Sequence, residues 1–339
     1  MKIIFYLPPK SINDATFYYT RLIKKAFNEL GFKVTIYETP SFKSTKEDII
    51  FTIRVRDFIK VFFRFQRGTL CNWFQGLGPE EYVMIHGKSL KTKMIYYFFT
   101  TMEWIVLQQS TLNFFVSEKM VEHYKTKYRV SQTNGCIIPC YNKMLNQQLF
   151  DREKKALSFV FAGALYSWQC FEKTLEIYKK IQTKLPAAHL TVLTKDIEQA
   201  KALLSEKSIV NSSVYYVSLE NLDTELSKFK YGFIIRENDI VNNVSTPTKM
   251  NSYLSVGLIP IYTDVIDSFE KNIALGTYAI KLSYSAPIDE MVDRIIEHNT
   301  IRIDYKAFYE RCLSIFNQYY DDGYNVEKIK KAIQKVLIK

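Results

Sequence analysis

The sequence predicts an α/β protein of two tandem Rossmann-like, doubly wound domains facing each other across a cleft. Three observations lead there. Short apolar runs rich in Ile, Val, Phe and Tyr alternate with segments of helical periodicity from one end to the other. That rhythm halts once, at the charged interval "DREKKA" (Asp151–Ala156), and then restarts. The chain has 339 residues, 47% of them apolar, which is more than one core accommodates. The expected division is 1–150 and 151–322, with 323–339 as a closing helix.

The elements follow in order. "KIIFYLP" (Lys2–Pro8) reads as a buried opening strand, with a loop through Asn13 and Asp14. An amphipathic helix from about Ala15 to Leu30 ends at Gly31, a residue suited to a left-handed cap. "KVTIYE" and "DIIFTIRV" are the next strands, and "TLCNWFQG" and "YVMIHG" read as further buried ones. "MIYYFFTTMEWIVL" (Met94–Leu107) is too short to span a bilayer and contains Glu103, so a buried helix is expected. "TLNFFVS" is a strand, "EKMVEHYKTKY" a helix and "GCIIPC" a strand end. After the interval come the strands "LSFVFAG", "HLTVLT", "SVYYVS", "YGFIIR" and "LIPIYT", separated by helical segments, and the tail "NVEKIKKAIQKVLI" is one more amphipathic helix. In such folds ligands sit beyond the carboxyl ends of the strands, and between two such domains the cleft is the default site.

Charge is unevenly placed. The net charge is +11, with 21 Lys/Arg against 11 Asp/Glu in residues 1–150 and 25 against 24 in the remainder. A basic first half suits nucleic acid, an anionic membrane or a phosphorylated acceptor. No nucleic-acid motif accompanies it. The densest basic stretch, "RVRDFIKVFFRFQR" (Arg54–Arg67), interleaves Phe58, Phe62, Phe63 and Phe65, as interfacial membrane helices do; a core helix with a solvated basic edge reads equally well. The N-terminus lacks the long apolar segment and small-residue cleavage site of a signal peptide. Five cysteines in no tight pairing suit reduced thiols in a cytoplasmic protein, and Cys136, Cys140 and His123 fall short of a zinc set. Walker, dinucleotide, nucleophile-elbow and HExxH motifs are absent, as is a D-x-D, so neither a P-loop nor a metal-centred mechanism is expected.

One stretch stands apart. After "YGFIIR", ending at Arg236, a polar loop leads to Ser245-Thr246-Pro247, read as an N-cap with proline just inside a helix. Lys249 then stands in the first turn, where the helix dipole disfavours a cation, so an anionic ligand explains it better than helix stability does. A long stem carrying the charge out to water is the competing explanation.

"STPTKMNSYLSVGLIPIYTD" resembles the "P-t-K-x-x-E-Y-L-x-x-G-x-P-V-I" block of retaining nucleotide-sugar glycosyltransferases with the GT-B fold, in the variant common in capsule and lipopolysaccharide clusters. "FVFAGALYSWQCFEKTLEIY", "IIPCYN", "FFVSEKMVEHYKTKY" and "CNWFQGLGPEE" resemble further blocks of those enzymes, in the same order. The resemblance implies a sugar nucleotide as co-substrate, with no further cofactor and no metal. Asn243, Ser245, Thr246 and Lys249 would take its diphosphate. Gly163 would allow close backbone approach, Trp168 would stand in the loop beside it, and Val217 and Ser218 would lie near the base. Arg236 and Lys249 would stabilise the leaving phosphate, and His86 would stand near the transferred sugar. Asn13, Asp14, Gln75 and Gly76 would face the acceptor, and the tail helix would pack back on the first domain.

The sequence also departs from the pattern. Two glutamates common in relatives correspond to Val244 and Ser252, the latter at the ribose position. The Arg and Lys that often follow the donor domain's first strand correspond to Ala164 and Gln169, leaving phosphate charge to Lys249 and Arg236. The expectation is a glycosyltransferase using a glycan or lipid-linked acceptor for cell-surface polysaccharide, cytoplasmic or peripheral on the inner membrane face. A catalytically silent sugar- or nucleotide-binding protein of the same fold is the alternative, and a cationic nucleic-acid binder a weaker third.

Overall fold

The computed structural model describes residues 1–12, 14–64, 68–130 and 134–337, without the side chains of residues 14 and 15. The chain forms two compact units. Unit 1 holds Met1–Tyr141, Val244–Thr246 and Tyr319–Lys339; unit 2 holds Asn142–Asn243 and Pro247–Gln318.

Unit 1 opens with β1 (Ile3–Tyr6), α1 (Asp14–Glu29), β2 (Val34–Tyr37), β3 (Ile49–Thr52) and α2 (Val55–Arg64). It continues with β4 (Thr69–Trp73), α3 (Gly78–His86), α4 (Leu90–Gln109), β5 (Leu112–Phe115), α5 (Glu118–Tyr128) and β6 (Gly135–Ile137). Its six parallel strands run in the order β2-β1-β3-β4-β5-β6. β1, β3 and β5 are fully buried, so they read as unbroken apolar runs instead of alternating ones. Their Phe5, Phe51 and Phe114 rings meet in the sheet core, Phe5 tilted on Phe51 at 4.5 Å and Phe51 edge-to-face with Phe114 at 5.8 Å between centroids.

Unit 2 begins with α6 (Gln147–Phe150), β7 (Lys155–Ala162), α7 (Phe171–Lys184), β8 (His189–Leu193), α8 (Ile197–Glu206), β9 (Ser212–Tyr215) and α9 (Leu219–Leu226). β10 (Phe229–Ile234), α10 (Ile240–Val244), α11 (Thr248–Leu254), β11 (Ile259–Thr263), α12 (Asp267–Asn272) and β12 (Ile280–Leu282) follow, then α13 (Ile288–Asn299) and α14 (Tyr305–Ile315). The last helix, α15 (Asp322–Leu337), belongs to unit 1, where it packs on α1, and Tyr18 of α1 donates to Asp322 at 2.7 Å. The sheet of unit 2 is also parallel, in the order β12-β11-β10-β7-β8-β9.

Three expectations change. "YVMIHG" is not a strand but the body of α3, because Pro79 in its first turn and Glu80 and Glu81 beside it are helix-starting residues. α4 is not a buried helix. Only Thr92, Glu103 and Val106 are fully enclosed, while Leu90, Met94, Tyr97, Phe98 and Trp104 face solvent. The units divide at Tyr141/Asn142, not at 150, because the segment ending in Phe150 packs into unit 2. There the Phe150 ring lies 5.1 Å from Phe308 and 5.3 Å from Tyr309, and Asn146 N donates to Ser255 O.

Candidate functional site

In unit 2 the chain winds outward from β7 through β8 to β9, then restarts at β10 and winds the other way. β7 and β10 are therefore the topological switch point, where loops leave in opposite directions and a ligand finds room. The segments just past both strands carry chemistry. Gly163 follows β7, and Arg236 follows β10 by two residues.

The third contributor arrives on α11. Gly232, inside β10, lies against Tyr253 and Leu258, where an added Cβ would overlap both side chains. A bare backbone there lets α11 settle on the strand, with the Tyr253 hydroxyl 3.4 Å from both Ala162 N and Phe233 O. That seating directs Lys249, the second residue of α11, toward the end of β7. Its Nζ stands 3.8 Å from the centre of the Phe161 ring, and an added Cβ at Gly163 would lie 2.9 Å from its Cε and 3.3 Å from its Nζ. Gly163 has φ +138°, a backbone conformation that side chains rarely adopt.

The electrostatics are unusual. Lys249 Nζ is buried and makes no hydrogen bond. Its stem is partly accessible, but the charged atom is not, so it does not reach out to water. Burial, and secondly the Arg236 charge, hold its amine well below the usual lysine value. Arg236 is 2% exposed and is pushed down to about 10 by burial. Its guanidinium donates to Ile235 O at 3.0 Å and Gln169 Oε1 at 2.7 Å, both neutral acceptors. Its backbone is clamped to the Thr263 hydroxyl, which accepts from Arg236 N and donates to Arg236 O. Asp239 is close enough to be felt electrostatically, but its carboxylate accepts from the backbone and side chain of Asn242. No ion pair reaches either cation among the described residues. Two buried positive charges that repel each other, with no carboxylate partner, are expensive unless something anionic joins them. The arrangement can take an anion with several oxygens, such as a diphosphate.

The other expected residues are placed as follows. The Ser/Thr N-cap is not formed. Pro247 is the cap of α11, with no side-chain hydrogen bond, and the Thr246 hydroxyl instead accepts from Cys140 N within unit 1. Ser245 and Thr246 belong to unit 1 and Lys249 to unit 2, so the chain changes units inside the motif. Asn243 donates to Asn238 Oδ1 and Val265 O. Trp168 stacks on Tyr166 at 4.7 Å in the short turn Ser167–Gln169 beyond Gly163. Val217 and Ser218 follow β9, Ser218 as the residue before α9. Ser252 is enclosed within α11.

In unit 1, Gln75 and Gly76 follow β4, Gln75 donating to Ile53 O at 3.0 Å. His86 is exposed in the last turn of α3, its ring 4.2 Å from that of Tyr82, so the strand end expected to present it does not exist. Asn13 and the side chain of Asp14 lie outside the described residues. Sequence reasoning missed Gln169 as the partner of Arg236 and Phe161 as the ring beneath Lys249. Gln169 was noted only as a departure from a basic residue, and Phe161 is one of five successive buried strand residues with nothing to single it out.

Comparison with protein-family models finds no match, and comparison with curated proteins finds none either. Comparison of folds does find relatives. Sucrose-phosphate synthase from Thermosynechococcus elongatus superposes with a TM-score of 0.71 at 9% identity, covering 99% of each chain. WaaG, a glycosyltransferase involved in lipopolysaccharide biosynthesis, gives 0.65 at 10% identity and 99% of each chain. S. aureus TarM, solved with UDP and α-GlcNAc-glycerol, gives 0.61 at 10% identity over 92% of this chain, which spans only 58% of TarM's length. At these identities the similarity is one of fold: this chain has the two Rossmann-like units of the GT-B glycosyltransferases.

Proposed function

We propose that the chain is a glycosyltransferase that moves a sugar from a nucleoside-diphosphate donor to a glycan or lipid-linked acceptor in cell-surface polysaccharide synthesis. The observation that carries this reading is the buried Lys249–Arg236 pair, without a carboxylate, at the switch point of unit 2. A diphosphate supplies the missing negative charge. Its arrival favours the charged form of the Lys249 amine that burial and Arg236 disfavour, and Arg236, held by Gln169, presents its fork to the phosphate oxygens. When the sugar–phosphate bond breaks, charge grows on the leaving phosphate, and both cations are already in place to stabilise it. No metal enters this scheme. No covalent step is assigned to Cys170 or Asp239, which are felt by the pair, and retention with the leaving phosphate assisting the acceptor hydroxyl is the proposed course. Acceptor-side contacts are assigned to the segment at Gln75 and Gly76, and no step is assigned to His86. The place of action is the cytoplasmic side, at the inner membrane face.

A second reading is favoured by Val244 and Ser252, which stand where related enzymes carry glutamates: a sugar- or nucleotide-binding protein without turnover. Incubation with a panel of sugar nucleotides, without acceptor, separates the two by the nucleoside diphosphate released. Slow hydrolysis of one donor, lost in Lys249→Met, supports the transferase. Binding with no release from any donor, even with cell-envelope lipid added, establishes the silent protein.

A further inference from the structure

We infer that the solvent side of α4 is a docking face for an anionic lipid bilayer, a surface centred outside the Arg54–Arg67 stretch to which sequence alone pointed. It rests on the proposed reading only in that a lipid-linked acceptor would be met there. On the α4 helix, Leu90, Met94, Tyr97, Phe98 and Trp104 fall within about a third of the helix circumference, along one side. They are 78%, 67%, 58%, 61% and 46% exposed, so five large apolar side chains share a single unpacked stripe. Glu103 is the only acidic residue of α4, and it is turned inward to the Tyr128 hydroxyl and Lys127. Exposed Lys91 and Lys93 flank the stripe on opposite sides, and exposed Lys88 precedes it.

The stripe also has a shaped end. Val83, Leu90, Thr92, Tyr96 and Tyr97 form a groove of about 620 Å³, with Lys88 and Lys93 on its rim. An apolar floor under two ammonium groups fits a headgroup phosphate with the start of its acyl chains. α2, packed beside α4, adds exposed Phe63 with Arg56, Lys60 and Arg64. No described helix is long and apolar enough to cross a membrane, so the contact is a helix lying in the interface, aromatic side inward and lysines at the phosphates. Charge decides between a bilayer and a second copy of the chain. A symmetric contact would bring this lysine-flanked face onto another of the same sign, on a half of the sequence that already carries 21 Lys/Arg against 11 Asp/Glu. An anionic surface neutralises the lysines instead.

The test is co-sedimentation of the full chain with vesicles of phosphatidylcholine alone or of equal parts phosphatidylcholine and phosphatidylglycerol. Two solvent-facing double variants are compared, Phe98→Gln/Trp104→Gln and Lys91→Gln/Lys93→Gln. The wild type is expected to pellet with the anionic vesicles only, and each variant to lose about tenfold in partitioning. Added salt should release the wild type. Thermal shift by nucleoside diphosphates is measured in parallel and should be the same in all three proteins. If the wild type stays in the supernatant with anionic vesicles, the docking face is overturned, whatever the nucleotide result. If it sediments in solution as a dimer that the Phe98/Trp104 change dissociates, the occupant is a second copy and the inference also falls. Vesicle binding without any nucleotide shift keeps the docking face and removes the transferase reading.

Discussion

The two units place an arginine in the same position and treat it in opposite ways. In unit 1 the sheet reverses between β1 and β3, and Arg54 lies two residues beyond the end of β3. Its guanidinium is ion-paired to the buried Asp57 carboxylate one helical turn along and donates to Lys10 O, on the segment beyond β1. In unit 2 the sheet reverses between β7 and β10, and Arg236 lies two residues beyond β10. There the partners are a backbone carbonyl and Gln169, and a second cation, Lys249, is buried close by. One switch point is neutralised from within the chain. The other has no ion pair among the described residues, and on the proposed reading a ligand supplies the missing charge. Both arginines have an aspartate three residues further on, and what differs is where it points: Asp57 pairs with Arg54, whereas the Asp239 carboxylate is taken by Asn242 and leaves Arg236 without an ion pair.

Four experiments break or sharpen that contrast, in falling order of effect. Lys249→Met keeps the apolar stem and removes the charge. Nucleoside-diphosphate affinity should fall by roughly 100-fold, as for a lost charge-assisted contact, while the free protein gains about 1–2 kcal/mol in denaturant unfolding. Loss of both affinity and stability would make Lys249 a packing residue. In unit 1, Asp57→Asn should cost about 2 kcal/mol by leaving Arg54 unpaired, with part of the loss recovered in phosphate buffer. Should phosphate have no effect, an unpaired arginine at a switch point is not enough to take an anion.

Gly163→Ala comes next. The added methyl meets the Lys249 stem at a backbone angle that disfavours it, so about 1 kcal/mol of stability and roughly tenfold in nucleotide affinity should be lost. Full retention of both would show that Lys249 has room to move aside. The smallest effect is in pH. The Lys249 amine is held well below its usual 10.5, first by burial and then by Arg236. Between the lowered value and 10.5 the unfolded chain carries a proton that the folded chain lacks, so stability of the free protein rises with pH across that window. Bound diphosphate raises the amine again, and affinity should fall as pH rises. Melting curves kept well below the Arg236 value of about 10 should show stability rising with pH in the free protein and nearly flat with saturating nucleotide. Parallel slopes would place the proton elsewhere.

Much of this was legible in the sequence, for reasons that mark where legibility ends. Buried parallel strands announce themselves as continuous apolar runs, so both sheets and the restart after residue 150 could be read directly. Lys249 stood out because a cation in a first helical turn opposes the dipole. Residues 82–87 misled because the apolar run "YVMI" was weighed above the helix-starting Pro79, Glu80 and Glu81 that precede it. The exposure of α4 was invisible for a different reason. The helix is apolar on every side, and composition does not say which side lacks a neighbour. The Thr246 hydroxyl also has two local roles open to it, and its pairing with Cys140 N depends on a segment more than 100 residues away.

The most direct test of the central claim is calorimetric titration of nucleoside diphosphates into the wild type and Lys249→Met, in two buffers of different ionisation enthalpy. The account predicts that one nucleoside diphosphate binds the wild type, and that the variant binds it about 100-fold more weakly and with less proton uptake. Equal binding by both proteins, or uptake undiminished without Lys249, would contradict the assignment of the diphosphate to the buried pair.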